Sequence, residues 1–228
     1  MDSHLLVVAV AVIVAAGVIY GPLKRILKVL FLRGVVRSAL SHVGEQALAK
    51  QPEKMRLGPV SPAPWKDEAV IRKQASPLAP LGFVELGTFS VDRMPGVLVR
   101  MLFQPQTAVA AHIFEHPKAG SWIEFATRYT DGSSHYLATS PATGLDMPEW
   151  VRTIRADKST PTDELYRQFV AQRQAGGIKP TSAADVVGEF EDAYMRFMIW
   201  KNNRGITPEE VAKAMVKWAE KKQAASAQ

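Results

Sequence analysis

Hydrophobic positions form three successive patterns along the chain: an unbroken apolar run, a region of alternation and a region of helical spacing. The unbroken run, residues 5–23, contains no charged side chain. At about 1.5 Å per residue it spans a hydrocarbon core of about 30 Å. No lysine or arginine precedes it, whereas a cleaved signal peptide starts with a basic segment. The pattern therefore predicts a retained, single-pass transmembrane anchor over residues 1–23.

Two segments of different character follow the anchor. Residues 24–50 mix apolar and basic side chains, which predicts an amphipathic helix that continues the anchor or lies in the membrane interface. Residues 51–64 contain four prolines, so we expect an extended linker there. A short helix is predicted over residues 65–75, and Pro77 and Pro80 are expected to stop it.

The alternating region begins at Phe83 and predicts β-strands. Its apolar residues recur with a period of two, and turn-forming residues separate the runs. Asp131-Gly132, between two such runs, is the strongest hairpin signal in the chain. The predicted strands are residues 83–91, 97–103, 108–115, 121–130 and 133–139. Short connections favour antiparallel neighbours, so we expect a five-stranded meander.

Helical spacing returns after an irregular stretch, residues 140–160. The predicted helices run from Thr160-Pro161 to Gly176-Gly177, from Ser182 to Gly205, and onward from a capping box at Thr207-Pro208-Glu209-Glu210. Strands followed by helices indicate an α+β domain, here an antiparallel five-stranded meander covered on one face by C-terminal helices. We assign this domain to residues 65–222 and a frayed tail to residues 223–228.

The formal net charge of +6 is unevenly distributed, which sets an orientation. Residues 21–58 contain eight basic and two acidic side chains, and residues 59–228 contain 20 basic and 19 acidic ones. The basic side chains expected to meet anionic lipid headgroups are Lys24, Arg25, Lys28, Arg33 and Arg37. The positive-inside rule then places the N-terminus outside and the C-terminal domain in the cytoplasm, with a bacterial inner membrane favoured. A nucleic-acid partner is not expected, because the folded domain carries almost no excess charge.

Small residues recur at a spacing of four within the anchor. The two pairs are Ala11 with Ala15 and Gly17 with Gly21. Such positions let a second membrane helix approach closely, which predicts self-association or a membrane-protein partner. The alternative is that this spacing arises by chance, since glycine and alanine are common in membrane helices.

One cluster matches a catalytic motif in its letters but not in its predicted structure. His112, Glu115 and His116 spell H-x-x-E-H, which binds zinc when a helix carries it. Here the segment is predicted as a strand, where the two histidines lie about 13 Å apart, too far to share one ion. The chain has no cysteine, which excludes thiolate metal sites and cysteine nucleophiles. We therefore predict no catalytic, metal or cofactor site.

Three further clusters have ordinary structural explanations. Asp131, Ser133, Ser134 and His135 suit a hairpin turn, and Glu189, Glu191 and Asp192 suit a solvated helix face. Eight aromatic residues fit a protein core, and the alternative is that they line a ligand pocket between sheet and helices. They are Trp122, Phe125, Tyr129, Tyr136, Phe190, Tyr194, Phe197 and Trp200.

The leading functional hypothesis is a membrane-anchored, non-catalytic accessory or interaction protein, such as a subunit or adaptor of a larger membrane assembly. The first alternative is a membrane-tethered domain that binds a lipid or small apolar ligand, which requires a cavity between the sheet and the Phe190–Trp200 helix. The second alternative is a metal-dependent hydrolase that uses the H-x-x-E-H residues. The sequence favours a non-enzyme without excluding catalysis.

Overall fold

The computed structural model describes residues 37–46, 52–142 and 144–216. The predicted anchor, its small-residue pairs and the basic residues from Lys24 to Arg33 lie outside these ranges. No helix in the described ranges has both the length and the apolar character to cross a membrane. The chain divides into two compact units: one contains residues 37–46 and 206–216, and the other contains the sheet and three α-helices.

The second unit is an α+β fold built on a mixed seven-stranded sheet whose strands lie in sequence order. The strands are β1 (Leu57–Pro59), β2 (Val84–Val91), β3 (Leu98–Gln104), β4 (Val109–His116), β5 (Gly120–Arg128), β6 (Ser134–Ala138) and β7 (Val151–Arg155). Neighbours from β1 to β6 pair antiparallel, and β7 pairs parallel to β6. The helices are α1 (Glu68–Ala75), a 3₁₀ helix (Ser76–Leu81), α2 (Thr162–Gln172) and α3 (Val186–Arg204).

The five predicted strands are confirmed as β2 to β6, but the prediction of a five-stranded, wholly antiparallel sheet is wrong. β1 has three residues and lies in the segment predicted as a linker. β7 lies in the stretch predicted as irregular. Both are edge strands. β1 is too short to show a period, and the two apolar residues of β7, Val151 and Ile154, are three positions apart and do not alternate. The pairing of both strands depends on neighbours that are distant in sequence.

One sheet face packs against α1, the 3₁₀ helix and α2. Leu102, Ala111, Phe125 and Leu137 are cross-strand partners in successive strands, and they form one row on this face. The helices bury against this row the side chains Ile71, Ala75, Leu78, Leu165, Tyr166 and Phe169. Trp65 and Ile154 pack against the same cluster. Of the apolar clusters formed by the described residues, the one on this face contains the most buried side chains.

The opposite face packs against α3, so the prediction that helices cover only one face is wrong. Phe190 of α3 lies 4.8 Å from the His112 ring and 6.0 Å from the Phe114 ring, measured between centroids. Phe89, Val99 and Met101 form this second cluster with Phe114. Strands β3 and β4 carry apolar side chains on both faces, and this allows helices on both sides.

Within the first unit, residues 37–46 and 208–216 are helical. The predicted capping box is confirmed: Thr207 N–H donates to Glu210 Oε2 at 2.9 Å, and Glu210 N–H donates to Thr207 Oγ1 at 3.2 Å. A Cβ added at Gly44 would lie 3.0 Å from the carbonyl oxygen of Ile206. Glycine therefore permits a close approach between these two segments.

Candidate ligand-binding cleft

A cleft of about 540 Å³ lies between α3 and the sheet face that α3 covers. This volume is within the range of small-molecule sites, about 300–1,000 Å³. Ala193 and Phe197 of α3 form part of one wall, and the connection between β6 and β7 adds Met147 and Trp150 to another. Most of the lining surface is apolar. The floor is formed by β5, β6 and β7.

Alternation along β5 sets the order of the side chains on the floor. Trp122, Glu124 and Arg128 share the cleft face, while Ile123 and Phe125 point into the core on the other side. At about 3.3 Å per residue, Trp122 and Arg128 lie roughly 20 Å apart along the strand. The cleft therefore has an aromatic end and a cationic end.

The aromatic end is built from stacked rings and aliphatic side chains. Phe114 of β4 stacks on Trp122 with centroids 4.8 Å apart and planes 16° apart. Met55, Val91 and Val97 form a buried apolar cluster beside them and also line the cleft. This end has the composition that binds the hydrocarbon part of a ligand.

The cationic end centres on Arg128. Its Nη1 donates to Ser134 Oγ at 2.8 Å and to the hydroxyl of Tyr136. Arg196 of α3 lies at the same end, where it donates to the carbonyl of Gly132 at 2.6 Å. Within the described ranges neither arginine forms an ion pair with a carboxylate.

Carboxylates that face the cleft are mostly held by other protein groups. Glu124 Oε1 lies 3.1 Å from His112 Nδ1, and this histidine is buried beneath Phe190. Glu189 accepts from Lys179 at 2.8 Å and from Thr181 at 3.1 Å. Glu189 is thus paired with a cation and Glu124 contacts His112, whereas Asp192, which also lines the cleft, forms no ion pair in the described ranges. The guanidinium of Arg128 retains donors for a ligand.

Desolvation shifts the pKa values of four groups that line the cleft: it raises those of Tyr129, Tyr136 and Tyr194 and lowers that of Arg155. It raises the pKa of Tyr136 above its usual range, and the neighbouring Arg128 opposes that shift. It also lowers the pKa of Arg155, whereas the nearby Glu124 opposes this shift. The Tyr136 phenol therefore stays protonated at neutral pH and remains a hydrogen-bond donor.

The H-x-x-E-H residues do not converge on one point. The segment is strand β4, as predicted, and Glu115 points to the face opposite His112 and His116. Glu115 accepts the backbone N–H groups of Lys66 and Asp67 at 2.8 and 3.0 Å, at the N-terminus of α1. No group of three potential metal ligands occurs in the described ranges.

The hairpin cluster serves the turn and a buried contact. Asp131 Oδ1 accepts from Ser133 N–H at 2.8 Å, and Gly132 adopts φ +82°. His135 is buried, with Nδ1 lying 3.2 Å from the Tyr129 hydroxyl. The predicted Asp131-Gly132 hairpin is confirmed. Ser134 belongs to the cleft floor.

Six of the eight aromatic residues line the cleft: Trp122, Tyr129, Tyr136, Phe190, Tyr194 and Phe197. Phe125 instead lies in the core on the other face, where it stacks on Phe169 with centroids 6.2 Å apart. Trp200 contacts Trp150 at 6.2 Å between centroids. Six of the eight aromatic residues therefore lie where the alternative prediction, a pocket between sheet and helices, expects them.

Comparison with protein-family models, with curated proteins and with solved structures finds no match to this chain. The chemistry of the cleft therefore provides the basis for a functional proposal.

Sequence reasoning missed Glu124, Arg128 and Arg155 as cleft residues. On an alternating strand, charged side chains opposite an apolar face are typical of a solvent-exposed face. The available signal was Trp122 on the same face as Glu124 and Arg128, because an aromatic residue there implies partial cover. Only the position of α3 shows what covers them.

Proposed function

We propose that this protein is a non-catalytic, membrane-anchored binding protein whose α+β domain holds a small amphipathic molecule. The cleft of about 540 Å³ carries the proposal. An interior fully packed between sheet and α3 would have excluded this function. Walls that are largely apolar, with a few polar groups gathered at one end, are the usual composition of a ligand site.

Native mass spectrometry of the full-length protein, released gently from membranes, tests this function. We expect a stoichiometric small molecule on the wild type. Ala193→Trp projects an indole from α3 into the cleft and should remove that molecule. Ala171→Trp, on the exposed surface of α2, is the matched control and should retain it. A ligand-free wild type, or a ligand equally retained by Ala193→Trp, would contradict the proposal.

The proposed membrane attachment rests on residues 1–23 and the basic residues that follow. It assigns the N-terminus to the outside and the α+β domain to the cytoplasm. The natural chain lacks cysteine, so single cysteines report topology without background. In intact cells an impermeant thiol reagent should label Ser3→Cys and leave Ser159→Cys unlabelled. The reverse pattern would contradict this orientation.

A second candidate function is that of an accessory subunit of a membrane assembly. The first unit exposes three large apolar side chains, namely Val43, Met215 and Val216, each about half exposed. Met215 and Val216 are consecutive in the chain, and an exposed apolar patch marks contact with another protein. If a partner co-purifies with the full-length protein, a Met215→Ser/Val216→Ser double variant should release it and leave ligand binding in the cleft unchanged. A partner retained by this variant would argue against that surface.

A further inference from the structure

One cleft contains both apolar walls and a cationic end. This combination defines the chemical class of the ligand, whereas the cleft volume limits only its size. Arg128 lies about 20 Å along β5 from Trp122. A ligand spanning the cleft therefore places one end against stacked aromatic rings and the other end against a guanidinium.

Arg128 is held in a fixed position for recognition. Its Nη1 is fixed by Ser134 and Tyr136, and its guanidinium carbon lies 5.2 Å from the centre of the Tyr136 ring. An arginine fixed through one nitrogen keeps further N–H donors in a planar fork that matches two oxygens of an acid group. The structure therefore provides an orientation before a ligand arrives.

Tyr136 adds a second donor at the same point. Its hydroxyl oxygen accepts from Arg128, so its own proton can be donated to another acceptor. Arg196 lies at the same end, held over the Trp150 ring at 4.6 Å from its centroid. Glu189 of α3 is already bound by Lys179, and Asp192, one helical turn before Arg196, also lines the cleft but forms no ion pair with either arginine in the described ranges. Positive potential at this end is thus incompletely compensated.

We infer that the ligand is an amphipathic anion whose carboxylate or phosphate group binds Arg128 and Tyr136 while its hydrocarbon part lies against Trp122 and Phe114. This inference rests on the proposed binding function and specifies its ligand class. A free fatty acid and a lipid with a phosphate monoester headgroup share this chemistry.

The test compares three ligands of equal chain length: a long-chain carboxylate, the matching alkyl phosphate and the matching primary alcohol. Each is titrated into full-length protein in nanodiscs of zwitterionic lipid, with quenching of tryptophan fluorescence as the readout. The variants are Arg128→Gln and Tyr136→Phe. Arg167→Gln is the control, because Arg167 is exposed on α2 and pairs there with Asp163.

We expect at least one acid to bind the wild type about tenfold or more tightly than the alcohol, as a charge-assisted hydrogen bond allows. Arg128→Gln should remove that preference while its alcohol affinity stays unchanged, which also shows that the cleft is intact. Tyr136→Phe should reduce the preference for the acid over the alcohol without removing it, and Arg167→Gln should leave that preference unchanged. The preferred acid distinguishes the carboxylate from the phosphate.

Two results would overturn the inference. The first leaves the proposed binding function intact, and the second contradicts that function as well. If the alcohol binds as tightly as both acids, or if Arg128→Gln keeps the acid preference, the headgroup assignment is wrong and the binding function stands. If none of the three ligands binds and the native protein also carries no small molecule, the proposed function fails together with the inference.

Discussion

Glu115 shows how one buried carboxylate connects a strand to a helix. Its two oxygens accept the N–H groups of Lys66 and Asp67, immediately before α1. The carboxylate lies near the positive end of the α1 dipole, which stabilises its charge. The glutamate of the H-x-x-E-H match therefore links α1 to β4 through hydrogen bonds.

We expect Glu115→Gln to lower the free energy of unfolding by about 1–3 kcal/mol, because one of two charge-assisted hydrogen bonds is lost at a buried position. Denaturant unfolding followed by near-ultraviolet circular dichroism measures this. Glu164→Gln, on the exposed face of α2, should change the free energy by no more than about 0.5 kcal/mol. Equal effects of the two variants would show that the Glu115 contacts do not stabilise the fold.

His135 makes the stability of the second unit depend on pH. Desolvation lowers the pKa of His135 below its usual value, and the nearby Arg152 lowers it further. The Tyr129 hydroxyl and the N–H of Gln174 both lie next to Nδ1, at 3.2 and 3.4 Å, which suits a neutral ring. Because the unfolded chain binds a proton at higher pH than the folded one, stability falls as the pH decreases through about 6.5.

His135→Gln should therefore flatten the loss of thermal stability between about pH 6.5 and pH 5, the range just below the unfolded pKa. The melting temperature of full-length wild type and variant, measured across that range, tests the sign. His42→Gln replaces an exposed histidine and should leave the wild-type slope in place. A slope unchanged by His135→Gln would assign the pH response to other groups.

At the scale of elements, the strands with a clear period and defined turns were predictable, and those that depend on tertiary pairing were not. β2 to β6 are runs of five or more residues rich in apolar, β-branched and aromatic side chains, and turn residues separate them. β7 pairs parallel to β6, and this requires a crossover connection that no local pattern specifies. β1 pairs with β2, although α1 and the 3₁₀ helix separate the two strands in the chain. α1 ends before Pro77, as predicted. The chain then continues as a 3₁₀ helix that contains both Pro77 and Pro80.

The capping box at residues 207–210 is an element boundary that local sequence specifies fully. Thr207→Ala removes the acceptor of the Glu210 N–H, and we expect the helix start to lose about 1 kcal/mol. Amide hydrogen exchange of residues 209–211 should become about fivefold faster. Ser41→Ala removes a hydroxyl bond to a carbonyl within residues 37–46 and should leave that exchange unchanged. Unchanged exchange in Thr207→Ala would mean that other contacts hold the helix start.

At the scale of the molecule, binary patterning identified which residues share a face but not what covers that face. Trp122 and Tyr136 were recognised as possible pocket residues because they are aromatic. Arg128 was not, because an alternating strand places a charged side chain in solvent unless another element covers it. The cleft arises because α3 covers one part of its sheet face and leaves an open space beside it.

Photo-crosslinking of an amphipathic ligand to the full-length protein tests the central claim most directly. A long-chain carboxylic acid or alkyl phosphate with a diazirine near its chain end is irradiated with the protein, and labelled peptides are identified by mass spectrometry. The account predicts labels on the peptides that contain Trp122 and Phe190, and their loss in Ala193→Trp. Labels on other parts of the chain that persist in Ala193→Trp would contradict the claim that the cleft is the binding site.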